Sequence, residues 1–362
     1  MILPYNLFML AVDLLAIWLL RRQQRLVAWC ALMLGVGTVA AVLGILLALK
    51  FENVFGVPRL WCFGVILHGS ALLLATTVLW RKRHPWFSIA AALTALAILA
   101  AGADAFLIEP YWLEVTHYRI ASAKIRRPVR IVLVADIQAD SIGPYERETL
   151  RRAMDEKPDI LLFAGDYLQS PPRQHSALQR ELRQALLDAH VSKVPAFAVQ
   201  GNVDYYRNDH WKSPFDETGV TAIDQTTSFE LPDLDLTCLG LYHSFDPRAI
   251  VPRNHSDRFH LVVGHVPNFA LGYADADLLL AGHTHGGQFQ LPGIGPLVDN
   301  CSVPRRWASG LTHLSDNRTL IVSRGVGMER GYAPRIRFCS RPELAVIDLV
   351  PAEPSHTGNA RH

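Results

Sequence analysis

Leu278-Leu279-Leu280-Ala281-Gly282-His283-Thr284-His285-Gly286-Gly287-Gln288 is an apolar run of strand length that stops at a glycine and delivers two histidines two positions apart. The same grammar recurs upstream. The β-branched run 129–135 leads into Asp136, with Gln138 two residues on, and 160–164 ends at Gly165-Asp166. The run 194–200 leads into Gly201-Asn202-Val203-Asp204, and 260–263 precedes Gly264-His265. A polar residue at each strand end puts these side chains along one edge of a sheet. The glycines let the backbone turn sharply there. Helical spacing at 146–156, which stops at Lys157-Pro158, and at 177–189 separates the strands, because the residue before a proline disfavours helix. Strands alternating with helices predict an α/β domain. The stretch 227–241 reads as strands without helices, hence a second or mixed sheet.

A carboxylate, an amide oxygen and imidazoles suit borderline to hard divalent ions such as Mn, Fe, Zn or Mg. Two such ions about 3.5–4 Å apart hold a bridging hydroxide and clamp a phosphoryl group for in-line attack. A carboxylate such as Asp166 can bridge both ions, and His283 and His285, at i and i+2 with a bend between, can address neighbouring ions.

The first 110 residues are of another kind. Four apolar segments, 2–20, 26–49, 60–80 and 86–107, each approach the ~20 residues that a membrane-crossing helix needs. A secretory signal would have one shorter core and a cleavage site. Asp13, Asp104 and His68 are the ionisable groups inside the segments. Intramembrane acids can mark function, but both lie close enough to a span end that a structural or interfacial role is expected. Arg21, Arg22 and Arg25 follow the first segment, and Arg81, Lys82 and Arg83 the third. Basic short loops favour the cytoplasm, which puts the catalytic domain on the extracytoplasmic side of the cell membrane. Arg119, Lys124, Arg126, Arg127 and Arg130 pull the other way. The expected organisation is four transmembrane helices in 1–110, a linker over 111–127, the α/β domain over 128–350 and a disordered polar tail over 351–362.

Of 35 basic and 33 acidic residues, eight and four fall in the first 110, leaving 27 and 29. That nearly neutral remainder has no basic surplus for nucleic acid. Five cysteines without CxxC spacing form no disulfide framework.

The motif set resembles the calcineurin-like metallophosphoesterases, whose pattern is Asp-x-His, Gly-Asp, Gly-Asn-His-Asp or Glu, Gly-His and Gly-His-x-His. The resemblance covers about residues 130–350. The runs Gly282–Gln288, Leu291-Pro292-Gly293 and Ala333-Pro334-Arg335-Ile336-Arg337 are similar to the family's membrane-associated branch. The resemblance implies a four-layer sandwich, two β-sheets flanked by helices, with the site at the strand ends and two divalent metal ions, manganese favoured. Asp136, Asp166 and His285, with Gln138 in place of a histidine, would hold one ion. Asp166, Asn202, His265 and His283 would hold the other. Asp166, Asn202 and Asp204 carry catalysis in this reading, Asp204 by supporting Asn202 or a neighbouring backbone, and Asn202, Arg324 and Arg335 face substrate.

Two positions depart from the pattern. Gln138 offers a neutral oxygen where the family has an imidazole, which favours Mg or Mn over Zn. Val203 stands where a histidine is credited with protonating the leaving oxygen. Losing a general acid costs about 10²–10⁴ in rate, less for a leaving group that is already a stable anion. Pyrophosphate-type bonds are therefore favoured, or a cation from elsewhere (Arg207, Arg324, Arg330, Arg335 or Arg337) takes over. His175, His210, His243, His255 and His260 lack motif context and are expected to be structural or exposed, His243 being the first exception to look for.

The expected function is a membrane-anchored metallophosphoesterase cleaving a phosphoester or pyrophosphate bond of a phosphorylated small molecule or lipid. One alternative is a pyrophosphatase of the UDP-diacylglucosamine type in lipid A synthesis, against which an extracytoplasmic site would count. The other is a degenerate metal- and phosphate-binding membrane protein. The intact Gly-His-Thr-His and both aspartates speak against that one.

Overall fold

The computed structural model describes residues 1–22, 25–53, 55–207, 210–291, 293–296, 300–314 and 318–352. The chain forms two compact units: Met1–Ile108 with Glu329–Arg335, and Glu109–Met328 with Ile336–His362.

In the first unit, Ile2–Arg22, Leu26–Lys50, Gly56–Trp80 and Pro85–Tyr111 are helices long and apolar enough to cross a membrane. Apolar side chains gain nothing by leaving lipid for a neighbouring helix, so packing and polar contacts must hold such helices together. Trp29 Nε1 donates to Thr76 Oγ1 at 3.0 Å, and Trp80 Nε1 to the Leu20 carbonyl at 3.3 Å. Asp13 corrects the expectation of a span-end position. It lies in the middle of its helix and is buried, its Oδ2 2.6 Å from His68 Nδ1, while His68 Nε2 lies 3.0 Å from Asn6 Oδ1. His68 sits in a π-helical turn, Gly64–Gly69. Arg59 reaches the Gly331 carbonyl at 3.0 Å.

The second unit contains two six-stranded sheets. The first runs, in spatial order, Glu114–Ser122, Glu343–Pro351, Val129–Val134, Ile160–Phe163, Ala196–Val199 and Val220–Ile223. The second runs Gly310–His313, Thr319–Val322, Leu278–Ala281, Phe259–Val263, Leu234–Cys238 and Thr227–Glu230. The stretch expected as a linker thus supplies an edge strand, Glu114–Ser122, in register with Glu343–Pro351. Pro351 closes that strand and the Ala352 N–H donates to Ser122, so the tail is ordered that far, and 353–362 lie outside the described residues.

Strict alternation explains the layers, since side chains on a strand point to opposite faces. Ile131, Leu133, Ile160 and Leu162 join Leu261, Val263, Leu278 and Leu280 in the core between the sheets. Val132, Val134, Leu161 and Phe163 face outward onto the helices Pro144–Asp155 and Pro172–Asp188. The second sheet's outer face, Val262, Leu279, Leu320 and Val322, is covered by short turns such as Pro267–Leu271 rather than long helices. Strands buried on both faces read as continuous apolar runs, hence the uninterrupted Leu278–Ala281 and Ile160–Phe163.

Val129–Val134, Ile160–Phe163 and Ala196–Val199 are mutually parallel, as are Phe259–Val263, Leu278–Ala281 and Thr319–Val322. Within each sheet, the loops that follow these strands therefore emerge at one end. The first sheet delivers the acids and Asn202 there, and the second delivers the histidines.

Candidate metal centre

The two sets of loops interlock through the backbone. The Asp136 N–H donates to the Gly165 carbonyl at 3.1 Å and the Gln138 N–H to the Asp166 carbonyl at 2.8 Å, which joins the first two loops. Across the sandwich, the His283 N–H donates to both carboxylate oxygens of Asp136, 3.0 Å each. Asp136, Gln138, Asp166, His283 and His285 all adopt positive φ, between 40° and 69°. Such backbone is costly for a side-chain-bearing residue and clusters where function requires it. The loops pass so closely that a Cβ at Gly201 would run into Asp166, and one at Gly282 would lie 2.7 Å from Asp136 Oδ2. Glycine is required at both places for space, not for its φ.

His265 is fully buried and its Nδ1–H donates to the Ala164 carbonyl at 2.6 Å. That bond fixes the tautomer and turns the Nε2 lone pair inward. Nε2 lies 2.9 Å from Asn202 Oδ1, 3.2 Å from His283 Nδ1 and 3.4 Å from Asp166 Oδ2. Lone pairs this close repel unless a proton or a cation sits among them. The second carboxylate oxygen, Asp166 Oδ1, accepts from the Val203 N–H at 2.8 Å. The ligand atoms of Asp166, His265 and His283 all lie within 4.8 Å of one another, a spacing that suits one ion.

The electrostatics agree. Burial opposes charge on His265, yet Asp166 and Asp136 outweigh it and push the imidazole up to about 9. Burial, with the Asp166 charge adding to it, pushes Asp136 up to about 7. Burial and then the His265 charge bring His283 down to about 4, keeping its lone pair available. His285 is likewise held well below the usual imidazole range by burial and by Arg337. Two buried carboxylates beside three imidazoles call for positive charge, and divalent cations fit that demand.

Asp204 does not turn its carboxylate inward. It accepts from the N–H groups of Asp166 (2.8 Å), Gly201 (2.9 Å) and Tyr167 (3.0 Å), so it braces one metal loop against the next. Gln138 is buried with its Nε2 donating to Gln169 Oε1 at 3.2 Å, and its backbone seats it beside Asp166. Val203 is buried.

The structure does not bring every expected residue to the pocket. Arg324 is turned to Glu114, 2.7 Å away, and to the Arg341 carbonyl, 3.0 Å away. Arg330 and Arg335 belong to the segment that groups with the helical unit, and the Arg207 side chain and Pro292 lie outside the described residues. His243 is half-buried with Nδ1 2.8 Å from Thr226 Oγ1, and the buried His260 is held by Thr237 and the Asp275 carbonyl.

Two features were missed. The loop Gly325-Val326-Gly327 wraps Asp136, its Val326 and Gly327 N–H groups donating to the carbonyls of Ala135 (2.9 Å) and Asp136 (2.7 Å). The burial of Arg337, one of the five arginines named as a stand-in for the missing acid, is the other: the residue is 0% exposed and packs under His285, with Nη2 3.5 Å from its Nδ1. The Gly-x-Gly at 325–327, after the apolar run 319–322, was the available signal for the loop. Nothing in sequence marks Arg337 as buried.

The family model described as calcineurin-like phosphoesterase matches residues 129–287, from the first parallel strand through the Gly-His-Thr-His loop. Over that stretch the chain is similar to the calcineurin-like metallophosphoesterases, in line with the resemblance its motifs carry. It is a hydrolase of phosphoester bonds, on a fold that generally binds two divalent metal ions. Among calcineurin-like relatives, it is 29% identical to the uncharacterized metallophosphoesterase YkuE of Bacillus subtilis, over 71% of this chain and 93% of that one. Phosphodiesterase YaeI of Escherichia coli is 27% identical over 67% of this chain and 90% of its own. UDP-2,3-diacylglucosamine pyrophosphatase LpxG of Chlamydia trachomatis is more distant, 23% identical over 60% of this chain and 83% of its own.

Proposed function

We propose that this protein is a multi-pass membrane phosphoesterase whose catalytic domain faces the extracytoplasmic side and hydrolyses a diester or pyrophosphate bond of a lipid-linked substrate, with manganese as the favoured metal. The observation that carries the reading is the inward convergence of Asp166 Oδ2, Asn202 Oδ1, His265 Nε2 and His283 Nδ1 beside a buried valine. The first four form a cation-holding cluster. The valine supplies no proton to a departing oxygen, which suits a leaving group that departs as a stable anion.

In this reading Asp166, Asn202, His265 and His283 hold one ion, and Asp136, Gln138, Asp166 and His285 the other. When bound, the two ions supply Lewis-acid charge and a nucleophilic water at neutral pH. The protein's own groups do the rest. The Ala164 carbonyl orients His265, the Asp136 carboxylate orients the His283 backbone, and Asp204 holds the Gly165–Tyr167 and Gly201–Asp204 turns together. The four apolar helices and the basic loops at 21–25 and 81–83 support membrane placement and orientation.

The test is turnover by purified full-length protein, with Mn, of bis-p-nitrophenyl phosphate, p-nitrophenyl phosphate and a UDP-linked diacylglucosamine. Metal-dependent hydrolysis that disappears in Asp166→Ala is expected. Tight metal binding without turnover on any of the three would overturn it. Similarity to LpxG favours a second reading, a UDP-diacylglucosamine-type pyrophosphatase. It requires a cytoplasmic site, so protease accessibility in intact cells separates the two.

A further inference from the structure

Exposed aromatic rings are unremarkable when scattered, but a contiguous set beside a pocket marks a binding surface. Tyr205 and Tyr206 follow Asn202 and Val203 on the short helix Asn202–Arg207 and are 42% and 80% exposed. Their rings touch at 5.9 Å, and Tyr205 meets Tyr242, 68% exposed, edge-on at 5.3 Å. Tyr242 opens the helical turn Leu241–Phe245. That turn packs over the metal loop: a Cβ at Gly264 would lie 3.0 Å from Ser244 Cβ, and Phe245 sits edge-on to the His283 ring at 5.7 Å. An aromatic arc therefore runs from the Asn202–Val203 side of the centre to His283.

Tyr206 and Tyr242 are mostly exposed, and Tyr205 is the most covered of the three. Their rings add little to the core, and holding them out in water forgoes the gain from burying them. They flank the Asp166, His265 and His283 cluster, whose neighbour Val203 is also apolar.

We infer that the Tyr205–Tyr206–Tyr242 arc is the subsite for an apolar substituent on the substrate's phosphorus, so that the enzyme selects phosphodiesters or pyrophosphates carrying an apolar group over free phosphate monoesters of sugars. The inference rests on the phosphoesterase reading and deepens it. Apolar flanks of this kind come from two sources, an alkyl chain as in a lipid or a planar ring as in a nucleobase, and both use the same surface chemistry.

The experiment measures competitive inhibition of bis-p-nitrophenyl phosphate turnover by full-length protein with Mn, using orthophosphate and methyl-, butyl-, hexyl- and phenylphosphonate. Ki is expected to fall about twofold per methylene, half-burial giving less than the roughly fourfold of full burial. In Tyr205→Ser/Tyr206→Ser/Tyr242→Ser the ratio of the methyl- to the hexylphosphonate Ki should collapse toward one. Tyr206→Ser alone, at a ring too exposed to matter for folding, should flatten the series in part. A phenylphosphonate that outcompetes hexylphosphonate assigns the arc to a planar ring, and the reverse order to an alkyl chain. A wild-type series with no gradient, or a gradient that survives in the triple variant, overturns the inference while leaving the hydrolase intact. Absence of any metal-dependent turnover sinks the phosphoesterase reading and the subsite with it.

Discussion

Replacing Arg337 by methionine keeps an unbranched apolar stem and removes every donor beneath the metal loops. The guanidinium donates to five backbone carbonyls: Gly327 (3.0 Å from Nε), His285 (3.3 Å), Ser340 (3.0 Å), Arg324 (2.8 Å) and Gly325 (3.1 Å). Burial brings this guanidinium down to about 10, still charged at neutral pH. A buried carbonyl left without a donor costs about 1–3 kcal/mol. Water entering the vacated space would satisfy some of the five, so a net loss of about 4 kcal/mol is expected, local to the loops 283–288 and 324–328. Arg337→Lys restores charge and up to three donors but not the planar fork, and should lose about 2 kcal/mol. The two units need not unfold together, so one melting temperature is a poor reporter. Hydrogen exchange resolved by segment is a better one. At 1.4 kcal/mol per decade, protection in the two loops should fall roughly a thousandfold in Arg337→Met and about thirtyfold in Arg337→Lys. The strands 160–163 and 196–199 should hold their protection. Unchanged loop protection in Arg337→Met would refute the reasoning, since it would mean the carbonyls find partners without the arginine.

His265→Ala removes the donor atom most central to the cluster, and manganese content by elemental analysis should fall by at least one ion per chain; full occupancy would contradict the assignment. Val203→His restores an acid at the leaving-group side, so hydrolysis of an alkyl phosphate should rise relative to an aryl phosphate by about tenfold or more; an unchanged ratio would mean that the position lies out of reach of the leaving oxygen. Asp277 is held below the usual carboxylate range, Arg253 and Lys124 overcoming its burial. A depressed carboxylate stabilises the fold above its unfolded pKa of about 4 and loses that contribution as pH falls through the folded value. Asp277→Asn should therefore cost about 2 kcal/mol at neutral pH and little at pH 3, read by denaturant titration at both pH values. A Cβ at Gly327 would run into the Ile137 carbonyl, so Gly327→Ala should displace the loop around Asp136 and weaken metal binding more than Gly143→Ala, where the nearest atom lies 3.5 Å away. Equal affinities would contradict that.

The sequence by itself carried the strands that bear the site and the residues at their ends. A strand buried on both faces must be continuously apolar, and the first polar residue after it is where the chain leaves the sheet. That is why Asp136, Asp166, Asn202, His265 and His283 were legible, as were the four helices, which need only length and apolarity. The edge strand Glu114–Ser122 was not, because every second side chain from His117 onward is exposed and its pattern is weak. Tertiary structure decided which ligands meet. The acids hang from one sheet and the histidines from the other, and no local pattern says how two sheets stack. It also decided that Arg337 is buried while Arg324 turns to Glu114, and that Asp13 lies against His68, because a charge's fate depends on partners distant in the chain. The tyrosine arc is of the same kind: Tyr205 and Tyr242 lie far apart in sequence and touch only because the sandwich brings two short helices to one rim.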